Sequence, residues 1–202
     1  MAIKTANISI RGIRSLLWNH FSAEHAIPLE RKEKQGVAGN NPEEWRNTVL
    51  TLKNGQLYIE PTYIFGCLRD AARHTKSGRG SIQTKVAATL QVCEEFILAK
   101  DLFLPLESEI SRNKQDPVYL DVRSVKNPST KGRNIRYRIA ASPGWEMDFT
   151  IEWDASIVDS GQMEAVLIDA GQLVGLGDAR NIGFGRFEVL KLQIKEKKRK
   201  NA

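Results

Sequence analysis

The stretch Gly175-Leu176-Gly177-Asp178-Ala179-Arg180-Asn181-Ile182-Gly183-Phe184-Gly185-Arg186-Phe187-Glu188-Val189 decides the reading of this chain. Four glycines, two arginines and two phenylalanines fall within these fifteen residues, which run into a segment with the alternation of a strand. Glycine accepts positive φ and lets the backbone approach a ligand closely. Arginine offers a planar donor fork matched to phosphate. Gly175, after Leu173-Val174, suits the C′ position of a preceding helix, which explains one glycine. Four glycines with Arg180 and Arg186 point further, to a loop that holds a phosphodiester backbone. Asp178 is expected to pair with Arg180 rather than with a ligand.

Outward from this loop the periodicities set an α+β order. Residues 163–173 place Val166, Leu167, Ala170 and Leu173 on one helical face, and 186–194 form the last strand. Residues 147–153 alternate as a strand. Strands at 118–125 and 135–140 flank the basic, turn-rich stretch 126–134. Pro61 opens a helix to about residue 74, with Ile64, Phe65, Leu68 and Ala72 inward and Arg69 and Arg73 on another face. Residues 3–17 predict a first strand, and Asn54-Gly55 predicts a hairpin between 48–52 and 57–59. Residues 76–81 are expected as a flexible basic loop. Residues 82–98 are expected as a helix, with a strand inside 96–106 as the alternative. Strand–helix–strand followed by strand–helix–strand on one antiparallel sheet is a ferredoxin-like, RRM-type core. The expected organisation is one domain over 1–194, with a long loop after the first strand (18–54), an inserted basic hairpin (107–146) and a basic tail at 195–202.

The 202 residues carry 30 Lys+Arg against 24 Asp+Glu, a net charge of +6 and a pI of about 9.4, a balance suited to a polyanionic partner. Cys67 and Cys93 lie in apolar, helix-like contexts without a CxxC or Cys/His cluster, so both are expected as buried thiols and neither metal nor cofactor is implied. The first dozen residues lack the apolar stretch of a signal peptide, and no apolar run reaches membrane-spanning length, so a cytoplasmic location is expected.

A second stretch points the same way as the first. Gly55-Gln56-Leu57-Tyr58-Ile59-Glu60-Pro61-Thr62-Tyr63-Ile64-Phe65-Gly66-Cys67-Leu68-Arg69 resembles the G-x-P-Y-I-P-G-S-S-x-x-G-x-L-R segment of the RAMP superfamily of CRISPR proteins, and Gly175 to Arg186 resembles that family's C-terminal glycine-rich loop. The resemblance implies an RRM-like fold that binds single-stranded guide RNA through its phosphates. It also implies a repeating backbone subunit of a ribonucleoprotein, self-associating along the nucleic acid or joining other subunits. Small RAMP-like proteins of phages and prophages look similar. Two departures bear on mechanism. Glu60 and Thr62-Tyr63 replace small residues, and a glutamate at a helix start opposes phosphate there. RNA-cleaving backbone subunits of the family place an aspartate after the first strand, whereas residues 18–54 contain none, so target cleavage is not expected.

The candidate nucleic-acid contacts are therefore Gly175, Gly177, Arg180, Gly183, Gly185 and Arg186, with Arg69 and Arg73 at the end of the first helix. The hairpin adds Arg123, Lys126, Lys131, Arg133, Arg136 and Arg138. The resemblance makes that hairpin a thumb that grips RNA; the residues alone equally describe a solvated edge hairpin. Trp18, Trp45 and Tyr63 are candidates for stacking on bases, and Trp145 and Trp153 for the core. No catalytic residue is assigned. His20 is the candidate general base in an alternative reading, a metal-independent guide-processing endoribonuclease, which would need a partner tyrosine or lysine. A third reading is a phage-encoded single-stranded DNA-binding protein or inhibitor of a host complex. Glu94-Glu95 reads as an exposed helical pair.

Overall fold

Ala6, Ile8 and Ile10 are buried while Asn7 and Arg11 are exposed, and this period of two turns one face of the first strand, β1 (Ile3–Gly12), inward. A computed structural model describes residues 2–20, 42–106, 110–126 and 131–196. In chain order the elements after β1 are β2 (Leu16–Leu17), β3 (Gln56–Ile59), α1 (Pro61–Ala71), β4 (Lys76–Ser77), β5 (Gly80–Ser81), α2 (Gln83–Thr89), β6 (Gln91–Val92), β7 (Ile97–Phe103), β8 (Val118–Lys126), β9 (Arg133–Ala141), β10 (Glu146–Asp154), α3 (Ser160–Asp169) and β11 (Phe187–Glu196).

The central sheet has the order β11-β1-β10-β7-β3, antiparallel throughout, with β6 also beside β10. The path β1-α1-β7 and then β10-α3-β11 is the ferredoxin-like βαββαβ unit, and the fold is of this α+β class. Helices α1 and α3 bury Ile64, Cys67, Leu68, Met163, Val166 and Leu167 in one cluster with Ile8, Met147, Phe149 and Ile151 of the sheet. Asp159 caps α3, accepting from the Gln162 amide (2.9 Å) while the Gln162 side chain accepts from the Asp159 amide.

Along β1 and β10 the opposite face of the sheet is polar. Register sets Thr5, Asn7, Ser9 and Arg11 beside Glu152, Thr150, Asp148 and Glu146, with ion pairs Arg11–Glu146 (2.8 Å) and Lys100–Asp148 (2.7 Å). On this face β1, β10 and β11 carry no aromatic residue, whereas the β3–β7 side carries Tyr58 with Phe96 edge-on at 4.9 Å and the exposed Phe103.

A second sheet, β2-β9-β8, holds the basic hairpin. Its core of Leu17, Tyr119 and Ala140 takes Ala179 and Phe184 from the glycine-rich loop.

Several expectations change. The first strand breaks after Gly12, where the Ile13 and Arg14 amides turn to the Arg186 carbonyl, and the chain crosses to β2 in the other sheet; a Cβ at Gly12 would lie 2.0 Å from the indole of Trp145. The Asn54-Gly55 turn forms, but its hairpin shortens to β3 and a single bridge, Thr51 to Leu57. The basic loop at 76–81 is a two-residue hairpin, β4–β5. The helix expected over 82–98 stops at Thr89; the rest enters the sheet as β6 and β7, and Glu94 is not helical but accepts from the Thr150 amide (2.9 Å). Cys67 is buried as expected, whereas Cys93 is exposed. The expected long loop falls mostly on 21–41, which with the hairpin tip at 127–130 and residues 197–202 of the expected tail 195–202 lie outside the described residues, while Lys195 and Glu196 of that tail instead end β11, paired with β1. No helix of the described residues is long and apolar enough to cross a membrane.

Candidate nucleic-acid interface

The helix α3 runs into a wider turn over Ala170–Val174, and Gly175 (φ 84°) turns the chain out of it. From there the loop folds onto the connection between β1 and β2. The Asp178 amide donates to the Leu17 carbonyl (2.9 Å), the Gly185 amide to Ser15 (2.8 Å) and the Leu176 amide to Gly185 (2.9 Å). In return the Ile13 amide donates to the Arg186 carbonyl (2.8 Å). The glycines permit this closure. A Cβ on Gly185 would lie 1.8 Å from the Leu176 carbonyl oxygen, one on Gly177 2.5 Å from that of Leu17, and one on Gly175 2.6 Å from that of Phe184. Gly183 faces open space. Most loop amides thus donate to the protein's own carbonyls.

Between the C-terminal end of α1 and this loop lies an open groove of about 600 Å³, lined by Arg73, His74, Gly177, Arg180, Asn181 and Arg186, with Asp70 and Asp178 among them. Asp70 gathers the arginines: its carboxylate lies 2.9 Å from Arg69, 3.5 Å from Arg73 and 3.6 Å from Arg180, and its carbonyl accepts from Arg73 Nε (2.8 Å). Arg186 Nη1 is buried and has no hydrogen-bond partner among the described residues. Asp178 pairs not with Arg180 but with the buried Arg138 of β9 (3.1 Å). The carboxylate that could have offset the groove is therefore answered from the hairpin.

Register divides the hairpin's charges between its faces. Arg123 lies opposite Arg136 and Asp121 opposite Arg138, while Lys126 lies opposite Arg133. The arginines of the first face are all paired with carboxylates. Arg123 donates from Nε to Asp121 (2.6 Å) and lies over the Phe184 ring at 4.3 Å, Arg136 pairs with Glu44, and Arg138 with Asp178. The hydrogen bond it donates to Asp121 raises the Arg123 pKa above its ordinary value. Lys126, Lys131 and Arg133 are exposed towards the hairpin's end.

The structure thus brings Arg73, Gly177, Arg180 and Arg186 to one groove, with Arg69 beside it on Asp70. It sets Arg123 and Arg138 on the loop's other flank and leaves Lys126, Lys131 and Arg133 apart. Trp18 and Trp45 are not available for stacking: both are buried, and Trp18 Nε1 donates to the Tyr58 carbonyl (2.7 Å). Trp145 and Trp153 are core residues. His20 Nε2 is 3.7 Å from Glu60. Tyr63 is pushed up to about 12 by burial and by the charges of Glu60 and Asp178. The sequence reading missed Asp70, although Arg69-Asp70 and the i, i+3 spacing to Arg73 were visible; it also missed Asp121 and the Ile13–Ser15 turn.

No protein-family model matches the chain, and no curated protein matches it. Among solved structures, it is similar to a chain of the type III-B Cmr-beta, determined by cryo-EM bound to cognate target RNA. The TM-score is 0.57 at 12% identity, over 96% of this chain and 61% of that one. The likeness establishes the fold, and this chain spans less than two thirds of that chain's length.

Proposed function

We propose that this chain is an RNA-binding subunit of a CRISPR-type ribonucleoprotein, holding a single strand by its phosphates along the groove between α1 and the glycine-rich loop. The observation that carries the reading is convergence: arginines more than a hundred residues apart, Arg73 and Arg180, line one open groove with Arg186. Such contacts position a strand without reading its sequence. The likeness to a chain of an RNA-bound CRISPR assembly supports this choice of polyanion. Lys126, Lys131 and Arg133 form a separate exposed basic patch towards the hairpin's end, where a repeating subunit would meet the next segment of the strand.

The test is a salt titration of single-stranded RNA binding. Each phosphate contact contributes a slope of about −0.7 in log K against log salt. Arg73→Ala with Arg180→Ala, both at half-exposed positions, is expected to flatten the slope by about 1.4 and to weaken binding by roughly tenfold at physiological salt. Salt-insensitive binding, or an unchanged slope in the double variant, refutes the assignment. Single-stranded DNA of the same sequence tests for contacts to the 2′-hydroxyl.

A further inference from the structure

A second recess lies on the other flank of the same loop. It has a volume of about 280 Å³ and is bounded by the Ile13–Ser15 turn, the start of β8 and residues 182–184. This approaches the lower end of small-ligand sites, roughly 300 Å³. Its walls include Ile13 and Ile182, 50% and 62% exposed, two large aliphatic side chains facing one cavity without being packed into the core. Its floor includes Tyr119 and Phe184. The cations Arg14, Lys114 and Arg123 complete the lining.

The floor is fixed before anything binds. Tyr119 is hydrogen-bonded to the Ser15 side chain, and the Ser15 carbonyl accepts the Gly185 amide. The Trp145 indole donates to the Arg14 carbonyl (2.8 Å) and pins the turn. Arg123 is held by Asp121 with its guanidinium over Phe184. Asp121 is thereby committed, and no carboxylate lines the recess.

We infer that this recess is a base subsite: it takes one unstacked nucleobase of the same strand whose phosphates lie in the arginine groove. Three features select this occupant. Aliphatic and aromatic surfaces suit the faces of a planar heterocycle. The rim cations Arg14 and Lys114, with no carboxylate among the lining residues, complement the phosphates flanking it. The two recesses share no lining residue yet meet at one turn, Asn181 belonging to the arginine groove and Ile182 to the recess. A strand crossing that turn presents backbone to one side and a base to the other. Stacking tolerates any base, so the subsite adds affinity without sequence preference.

The inference rests on the RNA-binding reading, and its test separates the two. Fluorescence anisotropy compares the full chain binding a short single-stranded RNA with its binding of an abasic ribose-phosphate strand of equal length. Wild type is expected to prefer the base-bearing strand by at least about fivefold. Ile13→Ser with Ile182→Ser, both at exposed positions, is expected to remove that preference while keeping the salt slope and the affinity for the abasic strand. Equal wild-type affinity for the two strands overturns the base subsite and leaves the phosphate groove standing. So does a double variant that binds base-bearing RNA as tightly as wild type. Failure of wild type to bind either strand overturns both.

Discussion

Asp70 is a negative charge set among the arginines of a groove assigned to a polyanion, and its neutralisation gives the most direct test of that assignment. The carboxylate touches Arg69, Arg73 and Arg180 at 2.9, 3.5 and 3.6 Å. The arginine side chains are 45%, 55% and 38% exposed, so each pair is worth roughly 0.2–1 kcal/mol after solvent screening. Asp70→Asn keeps the shape and one acceptor, so the expected stability loss is about 1 kcal/mol, a fall of roughly 2–4 °C in Tm. Binding moves the other way. The groove gains one net positive charge, equivalent to about one further phosphate contact and a slope steeper by about 0.7. Extrapolated from equal affinity at 1 M salt, the gain is about fourfold at 0.15 M and about eightfold at 0.05 M. Anisotropy titrations of a single-stranded RNA across that salt range measure both numbers. A variant that is less stable yet binds more tightly is the expected signature. Weaker binding, or an unchanged slope, refutes the argument that these arginines face phosphate.

Three further outcomes follow from the packing. Gly185→Ala sets a Cβ 1.8 Å from the Leu176 carbonyl oxygen at φ 67° and is expected to cost more than about 3 kcal/mol, whereas Gly183→Ala, at φ 90° in open space, costs about 1 kcal/mol; thermal unfolding of the two variants should rank them in that order. Arg138→Met leaves Asp178 without its partner and is expected to cost about 2–4 kcal/mol, less than a fully buried pair because Asp178 is 31% exposed, with part recovered in denaturant melts when Asp178→Asn is added. The Ser156 hydroxyl (2.7 Å), the Ser156 amide (3.0 Å) and the Ala2 amide (3.2 Å) hold the Asp154 carboxyl below its ordinary value, so its stabilisation is complete above about pH 4 and lost as pH falls through the folded value; Asp154→Asn should flatten the dependence of Tm on pH in that acidic window and leave it unchanged near neutrality.

The parts of the fold legible in the sequence are those whose partners impose the same period as the residues themselves. Met147, Phe149, Ile151 and Trp153 alternate because one face of β10 is buried and the other is polar. Residues 82–98 were ambiguous for a physical reason. Ile82, Val86, Leu90, Cys93 and Ile97 fit a helical face, but Ile97, Ala99 and Leu102 also fit a strand, and the vacant place beside β10 decides between them. The glycine loop was recognisable from composition, yet three of its four glycines answer close backbone approach within the protein rather than a ligand. Nothing local could show that approach, because Leu17 and Ser15 lie more than 150 residues away. The Asp70 cluster was half visible: its helical partners follow from spacing, while Arg180 arrives only when the loop meets α1.

That the loop leans on Ser15 and Leu17, and that β11 pairs only with β1, also fixes when the site comes into being during synthesis. In a nascent chain lacking residues 175–196 both recesses lack a wall. Both recesses are thus completed only when the segment that carries the loop into β11 has docked.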